Sequence, residues 1–211
     1  MSERIPIFPL GVVVFPGQDL NLHIFEPRYK QLIQDTAKTK MPFGIPVVLE
    51  KTIGNWGTLV ELVEIANVEA DGQMDIRTRG LRIFRIQQLH ATHPGKLYGS
   101  ADVEYPAENR AGDAMVMRAV VAGVRKLHAL LKVRKSFAKP LEELTSGDVA
   151  QHAGLSLQQE YEMLVLMDEG ERQKYLLRHL EKALPVVAQM ELLKEKVKLN
   201  GHFKSIPGLE A

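Results

Sequence analysis

The sequence predicts an α+β protein whose strands occupy the front half and whose helices occupy the back. From residue 4 to about 105, short β-branched and aromatic runs are punctuated by Pro and Gly, the pattern of strands and turns. From about Asp113 onward, apolar residues recur at helical spacing. Only one helical pattern interrupts the first half, so the alternating helices of a doubly wound sheet are missing. Many short strands around a single helix point to an antiparallel barrel or a curled sheet.

Ile5 and Ile7, then Val12 to Phe15, are the first strand signals. Leu20, Leu22 and Ile24 alternate with Asn21 and His23, the period of two of a half-buried strand. Pro27 suits a first helical position, and Tyr29, Leu32, Ile33 and Ala37 follow at helical spacing. Phe43 to Leu49 and Thr58 to Val68 read as strands. Asp71-Gly72 reads as a tight hairpin turn, because both positions tolerate positive φ. Met74, Ile76 and Thr78, then Leu81, Ile83 and Ile86, then Leu97 to Val103, supply three more strands.

The stretch PAENRAG, Pro106 to Gly112, marks a corner, and the sequence divides there into a strand domain at 1–108 and a helical domain at 109–211. Met117, Val120, Val124, Leu127 and Leu131 mark one face of a helix from about Asp113 to Val133. Pro140, Gly147 and Gly154 limit the next segment to short helices. Ser156 with Gln159, and Asp168 with Glu171, are capping-box patterns before two further helices. The last helix contains Pro185, which is expected to kink it, and Asn200-Gly201 is its expected stop.

Composition excludes several function classes. The chain has 27 basic and 26 acidic residues for a net charge of +1, without the basic excess of a typical nucleic-acid binder. Cysteine is absent, which removes disulfides, thiolate zinc sites and cysteine nucleophiles. The N-terminal apolar run is broken by Pro6, Pro9 and Gly11, unlike a signal peptide. No apolar stretch approaches the roughly 20 residues that span a bilayer. The expected location is the cytoplasm.

The most specific stretch is IPIFPLGVVVFPGQDLNLHIFEPRYKQLI, with Pro9, Leu10, Val14, Phe15, Pro16 and Gly17 leading through Leu22 and Phe25 into Glu26, Pro27, Arg28 and Tyr29. It resembles the opening of the Lon protease N-terminal, substrate-binding domain. The resemblance continues through Phe43-Gly44, Gly57-Thr58-Leu59, Asp71-Gly72 and Gly80 to Ile86, and in pattern through the helical tail. It implies an N-terminal PUA-like antiparallel β-barrel with one helix, followed by a C-terminal helical bundle. It also implies binding of polypeptide segments or a protein partner. Relatives keep their ATPase and serine-lysine protease in other domains. This sequence ends at Ala211 with no G-x-x-x-x-G-K-S/T phosphate loop and no nucleophile-elbow serine, so a free-standing, non-catalytic domain is expected. The alternative is RNA or small-ligand binding through the barrel, since PUA-like barrels in other families contact RNA.

The candidate binding residues are Glu26, Arg28 and Tyr29, a carboxylate, a guanidinium and a phenol near a barrel rim, and Phe15, a contact surface only where it is exposed. Each also has a plain structural reading: Phe15-Pro16-Gly17 as a turn, Glu26 as a helix cap, Arg28 in an ion pair and Tyr29 packed inward. No catalytic residue, cofactor or metal is expected. His90 and His93, with Asp102 and Glu104, can be drawn as a metal site, but that spacing on a strand points the rings to opposite faces. Arg125, Lys126, Lys132, Arg134 and Lys135 form the best local basic patch, and a solvated helix end explains them.

Overall fold

Periodicity becomes architecture in the computed structural model, which describes the backbone of residues 2–203 and the side chains of residues 2–197. The fold is mixed α/β with an antiparallel sheet. Six strands form it: β1 (Glu3–Pro6), β2 (Asp19–Ile24), β3 (Phe43–Leu49), β4 (Thr52–Val68), β5 (Met74–His90) and β6 (Ser100–Glu104). The order is β1-β6-β5-β4-β3, with β2 pairing the start of β5. The helices are α1 (Pro27–Thr39), α2 (Ala114–Leu130), α3 (Ser146–Ala150), α4 (Leu157–Val165) and α5 (Glu169–Phe203).

The chain packs as two compact units. One holds residues 1–110 with 155–168, and the other holds residues 111–154 with the chain from Glu169. A single divide near residue 108 is therefore crossed by a returning segment. That segment carries α4, whose Tyr161 ring lies against Gly54 of β4.

In the first unit, one face of the sheet and α1 enclose a core of Phe8, Val14, Ile24, Tyr29, Leu32, Ile33, Phe43, Ile45, Val60, Met74, Ile76 and Tyr98. A second cluster gathers Ile5, Ile7, Leu59, Phe84, Ala101 and Val103. Residues 7–10 run beside β3 through parallel bridges Ile7–Gly44 and Leu10–Val47. The Phe8 amide donates to the Gly44 carbonyl at 2.8 Å, and the Val48 amide to the Leu10 carbonyl at 2.8 Å.

Two expectations change here. Residues 12–15 enter no strand ladder, although Val13, Val14 and Phe15 are buried. The runs on either side of Gly80 are one strand, β5, rather than two. Gly80 bends the ladder instead of breaking it. Opposite, Val60 pairs with Gly80 and Leu59 with Arg82, so Leu81 is the extra residue of a bulge. A Cβ at Gly80 would come within 3 Å of the Phe15 carbonyl oxygen, so the crossing chain selects glycine.

In the second unit α2 packs along α5, with Val120, Val124, Leu176 and Leu180 buried. Asp113 caps α2 by accepting from the amides of Met115 (2.7 Å) and Val116 (3.1 Å). Helix α5 contains Pro185 and continues past Asn200-Gly201, since a glycine weakens a helix without forbidding it.

Candidate functional site

The F-P-G and E-P-R-Y motifs both lie in the first unit, and local chemistry explains each. Phe15 is only 2 % exposed. Its amide donates to Gln18 Oε1 at 2.9 Å and its carbonyl accepts from the Gln18 amide at 3.1 Å. Gly17 then takes φ +85°, and its amide donates to the Gly80 carbonyl at 2.8 Å. Phe15 is therefore an anchor of the loop that crosses β5, and its ring is withdrawn from the surface.

Glu26 stands at the N-cap of α1 but makes no side-chain cap bond. Its carboxylate accepts instead from Arg28 Nε at 2.9 Å, and its backbone carbonyl accepts from the Tyr29 and Lys30 amides. The Arg28 guanidinium lies 4.5 Å from the centre of the Tyr29 ring. Tyr29 is buried and stacks on Phe8 at 3.8 Å, and burial pushes its hydroxyl pKa up. Of the four residues singled out in the sequence, Glu26 and Arg28 reach the surface, and Phe15 and Tyr29 pack inward.

His90 and His93 part company. His90 Nε2 sits 2.9 Å from Asp102, which also accepts from Arg4 at 2.7 and 3.0 Å. Arg4, and after it His90, hold the Asp102 carboxyl well below the usual carboxylate range. His93 stacks on Tyr98 instead. Tyr98 donates to Asp35 at 3.0 Å, and burial, followed by that bond, pushes its pKa up to about 12. Among the described residues no cluster of three or more His, Cys, Asp or Glu could hold a metal ion.

The feature that sequence reading missed lies where β2, β5 and the far half of β4 run side by side. Their register sorts the side chains. Outward go Asp19, Asn21 and His23 of β2, Arg79, Arg77 and Asp75 of β5, and Glu61, Glu64 and Asn67 of β4. This face is a lattice of ion pairs: Asp19–Arg79 at 2.7 Å, Asp19–Arg77 at 3.1 Å, Glu64–Arg77 at 2.9 Å and His23–Asp75 at 2.8 Å. A hollow of about 560 Å³ on this face is lined by four of those paired groups, His23, Glu64, Asp75 and Arg77, together with Asn21, Leu22, Ala66 and Ile76.

On the opposite face Ile24, Ile76 and Met74 are buried, while their neighbours on β4 emerge into solvent. Val60 is fully buried, Leu62 is half-buried, Ile65 is 38 % exposed and Val68 is 60 % exposed. Val63 on β4 is also exposed, and Phe25, just past β2, is exposed and stacks on His23 of the ionic face. The core thus thins out along β4 into an apolar rim. No single motif announces it, because it depends on where the partner strand stops.

The family model of the ATP-dependent protease La (LON) substrate-binding domain matches residues 4–196. Among solved structures, the chain is similar to a Lon N-terminal domain protein from Xanthomonas campestris at 26 % identity. That alignment has a TM-score of 0.66 and covers 83 % of this chain and 98 % of that one. It is also similar to the N-terminal domain of a Mycobacterium avium complex Lon protease at 18 % identity, a likeness of fold. There the TM-score is 0.63, with 85 % of this chain and 98 % of that one covered. Among the described residues no helix is long and apolar enough to cross a membrane.

Proposed function

Because the chain belongs to the ATP-dependent protease La (LON) substrate-binding domain family, we propose that it binds segments of other polypeptides and catalyses no reaction itself. The observation that carries this reading is the apolar rim of β4, where Ile65 and Val68 extend a core face into solvent. Apolar surface contiguous with a core is costly to leave uncovered, and a binding partner is the ordinary reason for it.

The proposal includes the architecture that the resemblance implies. The first unit closes as a PUA-like pseudo-barrel, with residues 7–10 beside β3 supporting closure. The second unit forms a helical bundle around α2 and α5, and the protein works in the cytoplasm.

RNA binding is the weaker alternative. Arg82 lies over Tyr105 at 3.3 Å and Arg85 lies 6.0 Å from Trp56, which supplies cations beside aromatic rings. Yet Glu3 and Glu104 sit 3.6 Å from those two guanidiniums and offset their field. The paired groups around the hollow likewise argue against a small charged ligand.

The test is a titration of the full chain with a fluorescently labelled protein, once folded and once permanently unfolded by reduction and alkylation. Saturable binding of the unfolded form alone is expected. Equal binding of both forms, or of neither, would sink the reading.

A further inference from the structure

Strand β4 outruns its neighbour. β3 leaves it at the Phe43–Val60 pair, while β4 continues to Val68 with β5 alone beside it. Residues 61–68 make no backbone hydrogen bond to any described residue outside that ladder, and all but Leu62 are exposed. Such an edge presents a row of N–H and C=O groups to solvent, in the lane that β3 vacates.

We infer that this edge takes a short extended segment of another polypeptide by strand addition, an apolar segment carrying Lys or Arg at its ends. The inference rests on the polypeptide-binding reading above and specifies its mode and its preferred sequence. Main-chain hydrogen bonds tolerate many sequences, which suits a module that meets diverse chains, and alternate side chains of the segment supply selectivity. Ile65 and Val68 offer the apolar contact. Glu61 stands at one end of the edge and Glu69 just beyond the other. The cations across the ladder, Arg77 and Arg79, are held by Glu64 and Asp19. Glu61 and Glu69 form no close ion pair with a described residue, although Arg79 and His23 feel their charge, so cationic flanks on the incoming segment complement them.

The same features oppose pairing with a second copy. Two such edges would bring Glu61 and Glu69 against their like. The bulges at Val63 and Ala66 also interrupt the long flat pairing that edge-to-edge association needs. A segment with cationic ends meets no like charge, and a single unconstrained strand can follow the bulges as a second rigid edge cannot.

The probe is a peptide of alternating valine and threonine flanked by lysines, with a glutamate-flanked twin. Affinities are read by fluorescence anisotropy on the full chain, and the contact is mapped by amide hydrogen exchange. Three results are expected. Exchange slows at residues 61–68. N-methylation of the peptide amides along one edge abolishes binding. A Glu61→Lys, Glu69→Lys double variant shifts preference to the glutamate-flanked twin, a change of about tenfold for two exposed charge pairs. Binding of the unfolded protein without binding of the peptide overturns strand addition and leaves the broader reading standing. So does protection elsewhere, or an unchanged preference in the double variant. If neither probe binds, the polypeptide-binding reading falls and this inference falls with it.

Discussion

The two units keep their polar side chains in opposite places. In the sheet unit the ionic groups lie on the outer face of β2, β5 and β4, where Asp19, Arg77 and Arg79 are each a third or more exposed. In the helical unit a polar cluster lies inside. Glu169, at the start of α5, accepts from the Ser146 amide and the Ser146 hydroxyl, both at 2.7 Å, and from Gln173 at 3.3 Å. Gln173 in turn accepts from the Asp113 amide at 2.8 Å. Ser146, Glu169 and Gln173 are all buried. One carboxylate thus holds the first turn of α3, and its neighbour Gln173 holds the start of α2. Water screens the lattice of the first unit and is excluded from the cluster of the second, so equal numbers of bonds carry unequal weight.

That contrast is broken or kept most sharply by Glu169→Ala. The variant leaves the Ser146 amide and hydroxyl buried without an acceptor, and a loss of about 3 kcal/mol is expected. The protein has one Trp, and Trp56 lies in the sheet unit, so its fluorescence follows that unit, whereas helical circular dichroism is dominated by α2 and α5. In urea the helical signal is expected to lose its midpoint first. A fall in the Trp56 transition with the helical one unmoved would show that the cluster does not govern the unit in which it lies.

Asp19→Ala is the matched change in the lattice. It removes two ion pairs at once, yet at most about 1 kcal/mol is expected, shrinking as salt is added. Arg79, and then Arg77, hold the Asp19 carboxyl below its ordinary pKa. The sign follows: that stabilisation is present above the ordinary carboxylate value and is lost as pH falls through the lowered one. A salt-independent loss as large as that of Glu169→Ala would remove the distinction between the two networks.

What the sequence shows is what neighbouring residues decide among themselves. Pro27 opens α1, and the reciprocal Ser156–Gln159 bonds open α4. Asp71-Gly72 turns the hairpin within a loop closed from Glu69 to Gln73, where Asp71 accepts from the Gln73 amide at 2.9 Å and Gly72 alone takes positive φ, at +79°. Distant partners settle the rest. Gly80 looks like a strand break until the Phe15 carbonyl is found against it. α4 follows the helical half in sequence, but Tyr161 meets Gly54 in the sheet unit. The E-P-R-Y motif is plain to read, yet Pro27 opens α1, Glu26 and Arg28 pair with each other, and Tyr29 packs on Phe8. The apolar rim is hidden in the sequence, because a free edge at residues 61–68 is a fact about where β3 ends.

The smallest expected effect lies at the hairpin tip, and it tests whether the lattice acts locally. His23 Nδ1 faces Asp75 at 2.8 Å and its Nε2 faces Gln73 Oε1 at 2.8 Å. The Gln73 amide nitrogen donates to Asp71 at 2.6 Å, which leaves its oxygen for the ring. Two acceptors on one imidazole are both satisfied only when the ring carries both protons. The bond to Asp75, and then that to Gln73, raise the His23 pKa, with Glu69 adding a further pull. A raised value means that the stabilisation is complete below the ordinary histidine pKa of about 6.5 and is lost as pH rises through the folded value. Amide exchange at residues 69–73, corrected for its intrinsic pH dependence, should therefore quicken across that rise. In a His23→Gln variant it should stay flat. The helical unit should not respond to this titration, because an exposed pair screened by water acts only on its neighbours. A pH-dependent change in the α2 and α5 amides that His23→Gln abolishes would mean that the exposed lattice reaches further than its screening allows.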